Sequence, residues 1–230
     1  MNELARLYKC IGYQFNDESF VEEALAHRSY SSTNYERLEY LGDSLLNFVI
    51  ADEIHEKFPE LDEGALSRLR ASLVRGTTLA SIARELELGE YLRMGKGELR
   101  SGGFNRDSIL ADLVESIIGA VYRDSNFETA RALVLRLFEK RLHNPTPAEE
   151  LKDPKTRLQE LLQGRGLERP VYNVVKTEGK SHQLEFTVTC TIASHDVTVL
   201  SVASSRRKAE QAAAADVLNR AAELLSFAAK

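Results

Sequence analysis

Apolar residues recur at steps of three and four through most of residues 3–142, most clearly over 37–57, 65–86, 107–122 and 127–142. That spacing sets them on one side of a 3.6-residue turn, so each stretch predicts a helix burying one face. Past residue 150 the period changes. Leu184, Phe186, Val188, Cys190 and Ile192 fall on one side of an extended chain and Glu185, Thr187, Thr189 and Thr191 on the other, as a strand with one covered face requires. Two periods in one chain predict a helical part followed by a mixed part.

Local signals place the breaks. Phe58-Pro59 stops one helix, and Gly89 is expected to close another after Glu85-Leu86-Glu87-Leu88. The stretch MGKGELRSGGFNRD at 94–107 holds four glycines and reads as a loop. Two prolines interrupt the helical pattern at 143–152, which reads as a linker. Asp153 then caps a helix with Pro154 at its first position, where a missing N–H costs nothing, and that helix ends near Gly164 or Gly166. Strand character follows at 171–178, 184–192 and 196–203, then an alanine-rich helix capped by Ser204 or Ser205. The expected organisation is an all-α unit over 3–142, a linker at 143–152, and an α+β unit of order α-β-β-β-α over 153–226.

Composition allows this: among 230 residues, 43% are hydrophobic and 28% charged, which fits folded globular units. Cys10 and Cys190 stand far apart without metal-ligand or redox spacing, so both are expected as reduced, buried thiols. The opening residues lack the pattern of a signal peptide and no apolar run approaches a membrane span, so no membrane association is expected and a cytoplasmic protein is. Net charge is −5. The balance is uneven, since residues 150–230 carry 12 Lys and Arg against 10 Asp and Glu, leaving 18 against 25 for residues 1–149.

Within the acidic part, YERLEYLGDSLL at 35–46 sets Glu36, Glu39 and Asp43 in a column on one helix, beside a stripe of Leu38, Leu41, Leu45 and Val49. Like charges so stacked repel. A second pair, Asp112 and Glu115, shares a face of a helix that is otherwise strongly apolar (Ile109, Leu110, Leu113, Val114, Ile117, Ile118). If these helices pack together, Glu39, Asp43, Asp112 and Glu115 form an oxygen-lined site for a hard cation such as Mg2+. The alternative is a solvated acidic face paired with Arg37 and Arg70. The five histidines show no paired ligand spacing, and the glycines of 94–107 lack the Lys-Ser/Thr of a nucleotide-phosphate loop, although Lys96, Arg100 and Arg106 could touch a phosphate backbone.

The last helix begins with Arg206, Arg207 and Lys208. Cations are unfavourable at a helix N-terminus, where free N–H groups and the dipole favour anions, so a phosphate partner explains them better than a solvated charge run.

At these residues the chain resembles the ribonuclease III family. The likeness lies in YERLEYLGDSLL, in HRSY at 27–30, in DEGALSRLRASLV at 62–74 and in LRSGGFNRDSILADLVESIIGA at 99–120; the part at 153–226 is similar to a double-stranded-RNA-binding domain. The resemblance implies an endoribonuclease that cuts double-stranded RNA with bound Mg2+, Mn2+ being able to substitute, and leaves 5′-phosphate and 3′-hydroxyl ends. It makes Glu39, Asp112 and Glu115 metal ligands, Asp43 and Glu115 essential for cleavage, and Glu36 and Glu63 subsidiary acids. Tyr35 is a departure, since many relatives carry Asn there. In the second domain it assigns Thr156, Gln159 and Glu160 to one minor groove, the loop 179–182 with His182 to the next, and Arg206, Arg207 and Lys208 to the phosphates between. It further implies a homodimer, with Leu45, Leu46 and Phe48 at the interface, and ribosomal RNA precursors among the substrates.

Overall fold

The computed structural model of the chain describes residues 3–147, 149–180 and 183–220. The chain divides into two compact units, 1–148 and 149–230.

The first unit is helical: α1 (Glu3–Ile11), α2 (Glu18–Ala24), α3 (Glu36–Lys57), α4 (Glu63–Val74), α5 (Gly76–Glu85), a short α6 (Lys96–Arg100), α7 (Asp107–Asp124) and α8 (Phe127–His143). Helix α7 is its axis. Its Ile109, Leu110, Leu113, Val114, Ile117, Ile118 and Val121 are all buried, because α2, α3, α5 and α8 pack around it. Each such side chain contributes about 1.5–3 kcal/mol on leaving water. The one buried hydroxyl on this helix, Ser116, is satisfied 2.9 Å from the carbonyls of Ala24 and Leu113.

Two glycines set how α3 meets α7. A Cβ on Gly42 would stand 1.8 Å from the Glu115 carbonyl oxygen, and one on Gly119 would stand 2.2 Å from that of Leu38. The two backbones therefore touch, a distance that larger residues forbid. This crossing lies one turn from Glu39 and beside Asp43 and Glu115.

Several boundaries differ from the sequence expectation. The stretch 65–86 is two helices, because Arg75 is extended (φ −65, ψ 148) and separates α4 from α5. The Thr78 hydroxyl donates to the Ser72 carbonyl at 2.9 Å, satisfying a group freed by the break. Gly89 does not close α5: Glu87 takes the left-handed conformation (φ 54). Instead Gly89 admits the Phe104 carbonyl oxygen, which a Cβ would meet at 2.6 Å. The glycine-rich stretch is not simply a loop, since α6 and a single turn at Gly103–Asn105 form within it. An ion pair of Arg106 with Glu98 at 2.7 Å, and the donation of Arg106 to Ser101 at 2.8 Å, hold that stretch together. Cys190 is buried, as expected, whereas Cys10 is exposed.

The second unit runs α9 (Pro154–Gly164), β1 (Val171–Glu178), β2 (Glu185–Ile192), β3 (Val197–Ala203) and α10 (Arg206–Asn219). The Asp153 carboxylate accepts from Lys155 N at 2.9 Å and Ser205 Oγ from Lys208 N at 3.3 Å, so both helices start on side-chain caps. The strands form an antiparallel sheet of order β1-β2-β3. The alternation on β2 has the predicted effect: Val188, Cys190 and Ile192 are buried, the latter two in one cluster with Leu158 and Leu162 of α9 and Ala213, Ala214 and Val217 of α10. Among the described residues, no helix is long and apolar enough to cross a membrane.

Candidate metal centre and nucleic-acid interface

Contact between α3 and α7 brings acids from both helices together. Glu39, Asp112 and Glu115 each place a carboxylate oxygen within 4.8 Å of the others. All three are partly buried. Asp43 is exposed and accepts from the Asn47 side chain at 2.7 Å, yet its charge reaches both Glu39 and Glu115. Glu39 and Asp112 line a cavity of about 320 Å³ together with His27, Arg28, Tyr35, Glu36 and Arg106.

Electrostatics here are unfavourable as they stand. Burial, then repulsion from Asp112, Glu36 and Asp43, pushes the Glu39 carboxyl up to about 7. Burial, then Asp43, Asp112 and Glu39, pushes Glu115 up to about 8. Asp112 is also raised by burial, against the opposing pull of a hydrogen bond from Tyr35 and the nearby His27 and Arg28. Among the described residues no Lys or Arg forms an ion pair with any of the three. Among the described residues the column's acids form no ion pair with Arg37 or Arg70; Glu36 pairs with Arg28 instead, at 3.5 Å. Oxygen-only donors, close together and lacking a cation, fit a hard divalent ion such as Mg2+.

Glu63 stands apart. Its carboxylate accepts from Ser67 at 2.8 Å, and it does not line the cavity. Sequence reasoning gave no role to His27 or Tyr35 at the acids, although HRSY and the departure at Tyr35 were both visible. His27 is 6% and Tyr35 3% exposed. Their rings meet edge-on at 5.7 Å, and Tyr35 donates to Asp112 Oδ2 at 3.4 Å.

In the second unit, Thr156, Gln159 and Arg207 line one hollow of about 630 Å³ with Asp153, Lys155, Arg169, Tyr172 and Glu210. Arg206, Arg207 and Lys208 are exposed on the first turn of α10. Arg206 donates to Glu210 at 2.8 Å, Lys155 reaches the other oxygen of Glu210 at 2.5 Å, and Arg207 lies 3.9 Å from Asp153. The Lys155 hydrogen bond, with that from Arg206 behind it, outweighs burial and holds the Glu210 carboxyl below its usual value. Glu160 faces elsewhere, accepting from Lys152 at 3.0 Å, and is not part of the hollow. His182 lies outside the described residues. Lys155 and Arg169 were missed as neighbours of this surface because neither carries a motif of its own.

Both units have relatives. Residues 17–142 match a family model described as ribonuclease-III-like, and residues 154–220 one described as a double-stranded RNA binding motif. A ribonuclease 3 of Aliivibrio fischeri is 57% identical over 213 residues, 93% of this chain and 96% of that protein. The chain belongs to the ribonuclease III family. A ribonuclease 3 of Vibrio cholerae is 54% identical over 215 residues, 94% of this chain and 96% of that protein. Among solved structures, a nuclease domain of a Campylobacter jejuni ribonuclease III, described for flexibility in a region involved in dimer formation, is 41% identical. It covers 60% of this chain and 97% of its own, with a TM-score of 0.59. A ribonuclease III nuclease fold joined to a double-stranded RNA binding motif is the arrangement of a double-stranded-RNA endoribonuclease.

Proposed function

We propose that the chain hydrolyses phosphodiester bonds in double-stranded RNA at the Glu39, Asp112 and Glu115 cluster, in a metal-dependent reaction that leaves 5′-phosphate and 3′-hydroxyl ends. The observation that carries the reading is the convergence of three partly buried carboxylates within 4.8 Å, with no Lys or Arg ion-paired to them among the described residues. Mg2+, or Mn2+ in its place, would supply an acidified water and neutralise charge on the attacked phosphate. Glu39, Asp112 and Glu115 hold the ion. Asp43, at the solvent edge of the same column, completes the negative field and stands with Glu115 as the pair most needed for the cut. Glu36 is held by Arg28 at the cavity wall, a supporting position; Glu63 belongs to the same proposal as a subsidiary acid through resemblance alone.

Thr156, Gln159 and Glu160 of α9 and His182 would meet minor grooves, while Arg206, Arg207 and Lys208 bind the phosphates between, so that the second unit reads duplex shape. We further infer a homodimer in which each site cuts one strand. Helix α3 supports it by exposing Tyr40 (78%) and Phe48 (58%), but Leu46 is excluded from that interface because it is fully buried in its own protomer. Processing of ribosomal RNA precursors in the cytoplasm follows from the same reading. The test is incubation of the full chain with long double-stranded and single-stranded RNA, in Mg2+ or in chelator. Cutting of duplex in Mg2+ alone is expected; no duplex cutting in Mg2+ overturns the reading.

A further inference from the structure

A buried tyrosine beside the acids has no task in the reaction outlined above. Tyr35 ends the segment before α3, is 3% exposed, and among the described residues has Asp112 as the single partner of its hydroxyl, at 3.4 Å. Its place is fixed from two directions. The backbone N–H of Tyr35 donates to the Ala26 carbonyl at 3.0 Å, and its ring lies edge-on to His27. His27 is fixed in turn: Nδ1 lies 2.7 Å from Ser29 Oγ and accepts from Ser29 N at 3.1 Å, and the His27 backbone N–H donates to the Arg93 carbonyl at 2.9 Å. A phenol so enclosed is held with its hydroxyl at Asp112.

We propose that Tyr35 is a positioning residue for the metal centre: its hydroxyl occupies Oδ2 of Asp112 and leaves the other oxygen of that carboxylate turned toward Glu39 and Glu115. Hydrogen bonds of this kind orient a metal ligand without touching the metal. The inference rests on the metal-dependent reading of the cluster.

The test is Tyr35→Phe, which keeps the ring and removes the hydroxyl. Mn2+ binding to the RNA-free full chain is measured by calorimetry, with melting of the metal-free chain and the Mg2+ dependence of duplex cleavage alongside. The dissociation constant for Mn2+ is expected to rise about tenfold, and the Mg2+ concentration for half-maximal cleavage by a similar factor, while the rate at saturating Mg2+ falls far less. The metal-free melting temperature should stay close to that of the wild type. An unchanged or tighter Mn2+ affinity overturns the proposal, as does a cleavage defect that saturating Mg2+ leaves intact while affinity is unchanged. If the wild-type chain itself takes up no Mn2+, the metal-dependent reading fails and this inference falls with it. Uptake by the wild type with no response to Tyr35→Phe defeats the inference alone.

Discussion

The acidic cavity of the helical unit and the basic first turn of α10 carry opposite charge, and they differ more in how that charge is balanced. Glu39, Asp112 and Glu115 sit partly buried with no Lys or Arg ion-paired to them among the described residues, and burial with mutual repulsion drives Glu39 and Glu115 toward protonation near neutral pH. In the second unit Arg206 and Lys155 share the Glu210 carboxylate and Arg207 approaches Asp153. On the proposed reading, a divalent ion balances the first. The other is held in shape by its own acids while its exposed edges face outward. Removing one acid from the first should therefore change chemistry, whereas removing one cation from the second should change affinity or stability and leave the chemistry alone.

The largest effect expected is from Glu115→Gln. Losing one of three donors removes several kcal/mol of transition-state stabilisation, so duplex cleavage in Mg2+ should fall about a thousandfold or more while duplex binding in a gel-shift assay is retained. A variant that cuts like the wild type would dissolve the contrast between the regions, since Glu115 would then be an ordinary acid.

Next comes the packing that makes the cavity. Gly42→Ala forces a methyl against the Glu115 carbonyl, which a Cβ would meet at 1.8 Å. Overpacking of this kind costs about 1–3 kcal/mol, a fall of roughly 3–10 °C in melting temperature for a chain of this size, and cleavage should drop further than stability because the acids move apart. Unchanged melting would mean that α3 and α7 do not cross in backbone contact.

Smaller effects belong to α10. Lys208→Ala should weaken duplex binding modestly and lower the slope of log affinity against log salt by roughly 0.7–1, the share of one phosphate contact. Arg206→Ala should add a stability loss, since among the described residues Lys155 alone is left paired with Glu210. If the salt slope is indifferent to Lys208, the basic turn is a solvated run.

The two regions were not equally legible. Acids recurring amid apolar helical spacing marked Glu39, Asp112 and Glu115 from sequence, because a buried carboxylate contradicts its surroundings wherever the helix packs. Tyr35 and His27 could not be read the same way: an aromatic and a histidine suit an ordinary core, and only their meeting at Asp112 gives them meaning. The glycine of LGDSLL was in plain view, but the Glu115 carbonyl that it admits lies on another helix. Likewise the apolar period runs on past Arg75, and the one local sign of the break between α4 and α5, Gly76, is equally tolerated inside a helix. The strand alternation of β2 was readable since period alone fixes which side is buried. Glu160, by contrast, was assigned with its neighbours on α9, and only the structure shows it taken up by Lys152.

Melting of the full chain between about pH 5 and about pH 9, with and without Mg2+, tests the central claim most directly. Glu39 and Glu115 hold protons more tightly folded than unfolded. The stability they contribute is therefore present in full below the ordinary carboxyl range and is lost as pH rises through about 7 and about 8. Glu85 and Glu210, whose carboxyls are lowered, act in the opposite sense only at more acid pH. Metal binding needs the ionised carboxylates and offsets their repulsion. The account predicts a metal-free melting temperature that declines across this range, and a Mg2+-dependent rise that grows over the same range and disappears in Glu115→Gln. A melting temperature indifferent to Mg2+ at every pH would contradict it.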